Sequence, residues 1–327
     1  MDFRLSEDQQ ALRQGIRSFC EGRCSLDHLR ELEGKEAFDP ALWRELAEMG
    51  VFALRVPEAQ GGVGLGSADA VVVFAELGRS LVPGPLAWSH LAAGLVEGAA
   101  TGDAVVGGLD LMGAQPGPCL VEHWRNLDVL LALRPEGVDR IDPRTLEATA
   151  IELPLDPLTP LHAVEALPQG ERIAGAADAA RLRLEGAALV AGQLLGIAEA
   201  TQELAVDYAK KRQQFGRPIG SFQAIKHMLA DMFVRQEVAR AAVYAAGATL
   251  DDPEVGDLAR AVSAAKITAG ESALKNARAC IQVHGGMGYT WEIPAHYYLK
   301  RTWVLETVFG TVEEHCDQTA ARVEGAL

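Results

Sequence analysis

The opening of the chain, Met1-Asp2-Phe3-Arg4-Leu5-Ser6-Glu7-Asp8, lacks both the apolar core of a signal peptide and the makings of a membrane span. The expectation is a cytoplasmic protein with no membrane partner. An excess of positive charge is also missing: 30 Lys and Arg stand against 45 Asp and Glu, a net charge of −15. Binding a phosphate backbone requires a basic face, so nucleic acid is excluded as a partner, and an acidic substrate must find a local basic spot. Cysteine is scarce and odd in number; Cys20, Cys24, Cys119, Cys280 and Cys316 are scattered, which suits a reducing compartment better than a disulfide framework. Cys20 and Cys24 are one helical turn apart with no second pair nearby, so they read as helix-packing residues and no metal is expected there. The sequence contains neither an internal repeat nor a low-complexity tail.

What remains is 327 residues, 49% hydrophobic and 23% charged, enough to bury a sizeable core in two or three domains. From Leu5 to about Ala100 the pattern is helical. Leu12, Ile16 and Phe19 fall on one face, and Leu42, Leu46 and Met49 on another. Ser6 with Gln9 three residues on has the form of a capping box. The glycines of Val56-Pro57-Glu58-Ala59-Gln60-Gly61-Gly62-Val63-Gly64-Leu65-Gly66 permit a tight loop, and Pro83-Gly84-Pro85 breaks the next helix. Between about 104 and 178 Pro and Gly become frequent and the apolar runs shorten. Residues 119–121, 129–133, 148–153 and 162–164 there read as strands. From about Ala177 long Ala-rich helices resume, interrupted at Gly216-Arg217-Pro218, Asp251-Asp252-Pro253 and His284-Gly285-Gly286. The fold class expected is mainly α with a small β domain. Its parts are an N-terminal helical domain over 1–103, a reduced middle β domain over 104–178, and a C-terminal helical bundle over 179–327.

Three stretches in this order resemble the acyl-CoA dehydrogenase family. They are the Val56 to Gly66 loop, the run Lys211-Arg212-Gln213-Gln214-Phe215-Gly216-Arg217-Pro218-Ile219 followed by Phe222-Gln223-Ala224-Ile225, and Gln282-Val283-His284-Gly285-Gly286-Met287-Gly288-Tyr289-Thr290-Trp291-Glu292. The resemblance implies a C-terminal four-helix bundle through which subunits associate. It also implies an FAD that accepts the β-hydride of an acyl-CoA thioester while a base removes the α-proton. Arg212 offers a planar fork of donors suited to a pyrophosphate and stays charged at any working pH. Phe215 supplies a flat apolar surface, Gln223 donates and accepts, and Gln282 with Gly285 and Gly286 lets a backbone approach the diphosphate or adenosine. Taken alone, such an arginine is a solvated or capping residue and a Gly-Gly pair a turn. In family members these positions contact an FAD held mainly by a neighbouring subunit.

The family's own-flavin motifs are not recognisable between Ala104 and Ala180, where Gly107-Gly108-Leu109-Asp110-Leu111 stands in place of the first flavin loop. Catalysis also needs a carboxylate against the substrate α-carbon. The glutamate that precedes Gly-Thr in many members is here replaced by Phe309, in Val308-Phe309-Gly310-Thr311. Other members place the base early in the first helix of the C-terminal domain. A gap-free count lands on Gly186, with Glu185 next to it. One residue of helix turns a side chain by about 100°, so Glu185 is either a base reached by a one-residue slip or a solvated glutamate near a helix start. Glu292 and Glu306 are remoter carboxylates, and His284 and His296 read as structural. The pattern resembles the short chains of bacterial α2β2 enzymes acting on steroid side-chain thioesters. It implies a subunit that shares FAD with a second dehydrogenase-like chain, an acyl-CoA substrate and an electron-transfer acceptor. Two other readings stay open: a self-sufficient homo-oligomer with Glu185 as base, and a scaffold with no redox role.

Overall fold

A computed structural model describes residues 4–33, 35–113 and 117–324. These form α1 (Glu7–Arg23), α2 (Leu26–Glu33), α3 (Pro40–Glu48), α4 (Ser67–Arg79) and α5 (Leu86–Ala92). Seven strands follow: β1 (Val106–Asp110), β2 (Cys119–Glu122), β3 (Val129–Arg134), β4 (Gly137–Ile141), β5 (Thr149–Ala150), β6 (Leu161–Val164) and β7 (Glu171–Gly175). Next come α6 (Ala176–Lys211) and a ribbon of β8 (Gln213–Gln214) and β9 (Arg217–Pro218). The chain ends in α7 (Gln223–Asp251), α8 (Leu258–His284), α9 (Ala295–Thr307) and α10 (Val312–Glu324). It divides into two compact units, one of Met1–Cys24, Val71–Val82 and Ala188–Leu327, the other of Ser25–Ala70 and Pro83–Ala187.

The first unit is helical. The capping box is present: Ser6 Oγ accepts from the Gln9 N–H at 3.1 Å, and Gln9 Oε1 accepts from the Ser6 N–H at 3.1 Å. Small residues set its helix spacing. A Cβ on Gly196 of α6 would lie 1.8 Å from the Ala75 carbonyl of α4, and one on Gly78 would lie 2.2 Å from the Gln193 carbonyl. Only glycine allows this approach. In α8, Ala265, Ala269, Ala273 and Ala277 repeat every fourth residue and are fully buried, a smooth stripe against which neighbouring helices pack. The helices end at the three interruptions read from the sequence.

The second unit holds α2, α3, α5 and both β-sheets. One sheet has the order β1-β3-β4-β7, with β1 parallel to β3 and the rest antiparallel; the other has the order β2-β6-β5. Strand β3 is buried from Val129 to Leu133, as a central strand covered on both faces requires. Three expectations are corrected here. Residues 107–111 are not a loop, because Gly107 to Asp110 lie within β1. Their glycines serve close packing: a Cβ on Gly108 would sit 2.3 Å from the Trp88 ring of α5. Ser89 Oγ fastens the same helix to the strand, donating to the Val106 carbonyl and accepting from the Val106 N–H, both at 3.0 Å. Of residues 148–153 only Thr149–Ala150 pair, and the exposed Leu153 is outside any strand. Strands β4 and β7, with arginines and glycines breaking their apolar pattern, had no strand signal in the sequence. Leu42 and Leu46 are buried on α3 as expected, but Met49 is exposed at its C-terminus.

Candidate functional site

The residues singled out for cofactor contact lie just past the end of α6, at the start of α7 and at the end of α8, and the helical unit brings the ends of α6 and α8 together. Tyr208 of α6 stacks on His284 of α8 with ring centroids 4.2 Å apart. Tyr208, Ile219 and Ile225 pack into one apolar cluster with Cys280, Ile281 and Val283. His284 donates from Nδ1 to the Cys280 carbonyl at 2.8 Å, and burial lowers its pKa. Its structural reading fits these contacts, as does that of His296, whose ring stacks on Tyr297.

Beyond Tyr208 the ribbon is closed by backbone bonds from the Arg212 N–H to the Tyr208 carbonyl and from the Ile219 N–H to the Arg212 carbonyl, both 2.8 Å. Its tip is a tight turn with both central residues left-handed, Phe215 at φ 53° and Gly216 at φ 75°. The turn pushes Phe215 outward until it is 91% exposed. Arg212 and Gln223 are also exposed, and Arg217 sits 4.2 Å over the Phe222 ring. At the end of α8, Gln282 is exposed and its carbonyl accepts from the Gly285 N–H. Gly285 has φ 59° and ψ −138°, a conformation that only glycine adopts freely. No heavy atom lies within 4 Å of a Cβ built on Gly285 or Gly286, so the backbone there is open to an approaching group. An exposed guanidinium, an exposed ring and an open glycine backbone fit an aromatic dinucleotide with its diphosphate.

The position of the missing base is built differently. Phe309 is 1% exposed, with φ 56°. The Lys266 ammonium, itself buried, shares its three N–H donors among the carbonyls of Leu305, Glu306, Val308 and Gly310, at 3.2, 3.0, 2.7 and 2.8 Å, capping the end of α9 and the loop after it. His315 Nε2 donates to the Phe309 carbonyl at 3.0 Å. The remoter carboxylates are engaged or exposed: Glu306 Oε1 accepts from the Val312 N–H at 3.0 Å, and Glu292 faces solvent.

Glu185 is in the other unit, and the solvated helix-start reading is wrong. It sits well inside α6, only 5% exposed. Its Oε2 accepts from Arg55 and its Oε1 from Arg181, each at 2.8 Å. Burial alone would raise its carboxyl pKa, but the hydrogen bonds and charges of Arg55 and then Arg181 outweigh burial and hold it below the ordinary carboxylate range. Arg55 also donates from Nε to His90 Nε2 at 3.1 Å and from Nη1 to Ser67 Oγ at 3.3 Å. His90 Nδ1 lies 2.9 Å from the Val51 carbonyl, which can only accept, so Nδ1 carries the proton. Burial, then the Arg55 charge, push the His90 pKa down to about 4. Glu185, Arg55 and His90 line a cavity of about 230 Å³. Arg55, His90 and Lys266 were missed from the sequence. Their signals were an arginine directly before the Val-Pro-Glu loop, a lone histidine in an apolar helix, and a lone lysine on the buried alanine stripe of α8.

Residues 6–101 match the acyl-CoA dehydrogenase N-terminal domain and residues 175–324 the acyl-CoA dehydrogenase C-terminal domain. The chain is 33% identical to the acyl-CoA dehydrogenase IpdE2 of Mycolicibacterium smegmatis, over 98% of this chain and 100% of the relative. Its fold superposes on a chain of the ChsE4-ChsE5 complex from Mycobacterium tuberculosis with a TM-score of 0.87, at 24% identity over 99% of both chains. A chain of the Tcur3481-Tcur3483 steroid ACAD variant gives 0.86, again at 24% identity, over 98% of this chain and 99% of that one.

Proposed function

This chain belongs to the acyl-CoA dehydrogenase family, and we propose that it is one subunit of an FAD-dependent acyl-CoA dehydrogenase made of unlike chains. On this reading residues 179–327 hold the adenine-diphosphate end of an FAD seated mainly in a dehydrogenase-like partner, in an α2β2 assembly. The FAD supplies the hydride acceptor for α,β-dehydrogenation of an acyl-CoA thioester. Arg212 neutralises the diphosphate, Phe215 and Gln223 flank it, and Gln282 with Gly285 and Gly286 present an open backbone. Among the described residues the Arg212 guanidinium has no carboxylate partner, which leaves it available to an anion.

The observation that carries the proposal is the contrast between two positions. Phe215 is 91% exposed beside Arg212, where a shared cofactor needs contacts, whereas Phe309 is 1% exposed where a base is needed. The partner therefore supplies the base. Glu185 is a weaker alternative: it is buried beside a cavity, but a carboxylate bonded to two guanidinium groups is a poor proton acceptor. A steroid side-chain thioester is the proposed substrate class, supported by the fold shared with the Tcur3481-Tcur3483 steroid ACAD. Electrons then pass to a separate acceptor. Among the described residues no helix is long and apolar enough to cross a membrane, and we place the assembly in the cytoplasm.

The test is to purify the chain alone and co-expressed with a full-length dehydrogenase-like candidate partner. The reading expects a yellow, active complex only from the pair. Full FAD occupancy and turnover in the chain alone would overturn it. Loss of turnover with FAD retained in Glu185→Gln would instead support the self-sufficient reading.

A further inference from the structure

We propose that Cys20 and Cys24 form a site of reversible oxidation, closed to a disulfide by hydrogen peroxide. The two residues share the last turn of α1 and lie within the helical unit. Cys20 is 0% exposed and Cys24 is half-buried, so one thiol is shut in the core and its neighbour is reached from solvent. The Cys24 N–H donates to the Cys20 carbonyl at 2.7 Å, and the Cys20 thiol donates to Cys24 Sγ. Residues four apart in a helix have Cα atoms about 6.2 Å apart, inside the range of roughly 4.4–6.8 Å that disulfides span. Cys24 is the C-cap of α1, with φ −111° and ψ 48°. Its backbone has already left the helix, so it can close the remaining gap between the sulfurs without unwinding a turn.

Exposure puts Cys24 first in the reaction. Its Sγ attacks one oxygen of the peroxide, the O–O bond breaks, and a sulfenic acid and one water are formed. Cys20 Sγ then attacks Cys24 Sγ. The S–S bond forms, the S–O bond breaks, and the leaving hydroxide takes the Cys20 proton as a second water. The two sulfurs lose two electrons in all, and these reduce the peroxide. The surroundings of Cys20 suit this later role. Its hydrogen bond to Cys24, and then burial, push its thiol pKa up, so it keeps its proton while Cys24 is reduced. Oxidation of Cys24 removes the thiolate that this proton served. Ser80, which donates to Cys20 Sγ, still favours the charged sulfur as it attacks. The Glu76 carboxylate opposes that charge, but the Arg17 fork holds it at 2.8 Å on both oxygens. Cys316 is exposed but has no cysteine one turn away, so it lacks the second step. A disulfide inside a reducing compartment is transient, and thiol exchange reopens it.

The site goes beyond the shared-flavin reading and uses none of its residues, so flavin content and thiol oxidation are independent measurements. The experiment treats the native full chain with hydrogen peroxide, alkylates the remaining thiols and digests the product with trypsin. Cleavage after Arg23 separates Cys20, in residues 18–23, from Cys24, in residues 24–30. The disulfide therefore appears as these two peptides joined, with two hydrogens fewer than their sum. Peroxide is expected to produce the joined peptide, and dithiothreitol to return both free thiols. Cys20→Ala should leave Cys24 as a sulfenic acid that dimedone traps, and Cys24→Ser should leave Cys20 reduced. Cys316 serves as the internal control for exposure to the oxidant. A native chain in which Cys316 is oxidised while Cys20 and Cys24 both stay free overturns the proposal without any variant. Cys24 joined to a cysteine other than Cys20, or held as a lasting dimedone-reactive sulfenic acid in the native chain, overturns it as well. Oxidation of Cys20 in the Cys24→Ser chain would contradict the order of the two steps.

Discussion

Replacing Phe309 with glutamate should not return a base to this chain. In sequence the change restores the carboxylate that precedes Gly-Thr in related enzymes, but in space it puts that carboxylate into the core. Phe309 is 1% exposed, and truncating a buried phenylalanine costs about 3–5 kcal/mol. Burying the new carboxyl group, even neutral, adds about 1–3 kcal/mol unless it finds a partner. Lys266, which bonds the carbonyls on either side of Phe309, already shares its donors among four carbonyls, and turning toward a new carboxylate would strip their cap. The expected loss is about 5 kcal/mol, a large part of the stability of an ordinary domain. Urea unfolding of Phe309→Glu beside a Phe309→Leu control, for which about 1–2 kcal/mol is expected, measures it. Turnover of hexanoyl-CoA with added FAD measures any gain of chemistry. A Phe309→Glu chain that unfolds within about 1 kcal/mol of the parent, or that dehydrogenates the substrate unaided, refutes the reasoning.

Lys266→Met should cost about 3–5 kcal/mol in the same assay, because it leaves buried carbonyls of α9 without a donor; a loss below about 1 kcal/mol would show that water replaces the ammonium. His90 gives a pH signature. Its folded pKa of about 4 lies below the usual 6.5, so the unfolded chain binds the extra proton first, and stability present above about 6.5 is lost as pH falls toward 4. The difference is worth roughly 3 kcal/mol, and the urea midpoint of His90→Gln should fall less steeply between pH 6.5 and 4.5 than that of the parent. Gly108→Ala places a Cβ 2.3 Å from the Trp88 ring and should destabilise by about 1–3 kcal/mol, seen as a lowered thermal midpoint.

The helical part of the fold was legible because its signals are local. Ser6 and Gln9 form the box their spacing suggested, and each Gly or Pro interruption after Ala177 ends a helix. The strands were harder to read. Two of the five residues of strand β1 are glycine because Trp88 and Leu127 lie against it, so tertiary packing removed the side chains that would have marked a strand. Strand β4 carries Asp139, buried and paired with Arg134 and Arg172, where an apolar pattern was sought. For the candidate site, the sequence pointed to the ribbon and the Gly-Gly turn because backbone conformation needs glycine at those points. It could not reveal that Glu185 is clamped, since Arg55 is 130 residues away along the chain. The one-residue offset from Gly186 suggested a side chain turned aside, and the ion pairs with Arg55 and Arg181 are what hold it.

The central claim, a flavin shared between unlike chains, is tested most directly by counting FAD in the complex formed with a dehydrogenase-like partner chain. The count is made for the native chain and for Arg212→Ala. About one FAD per pair of unlike chains is expected, falling at least tenfold in affinity when Arg212 is removed, as the loss of a charge-assisted contact to diphosphate requires. FAD binding that is indifferent to Arg212→Ala, or present at full occupancy in the partner alone, would contradict the account.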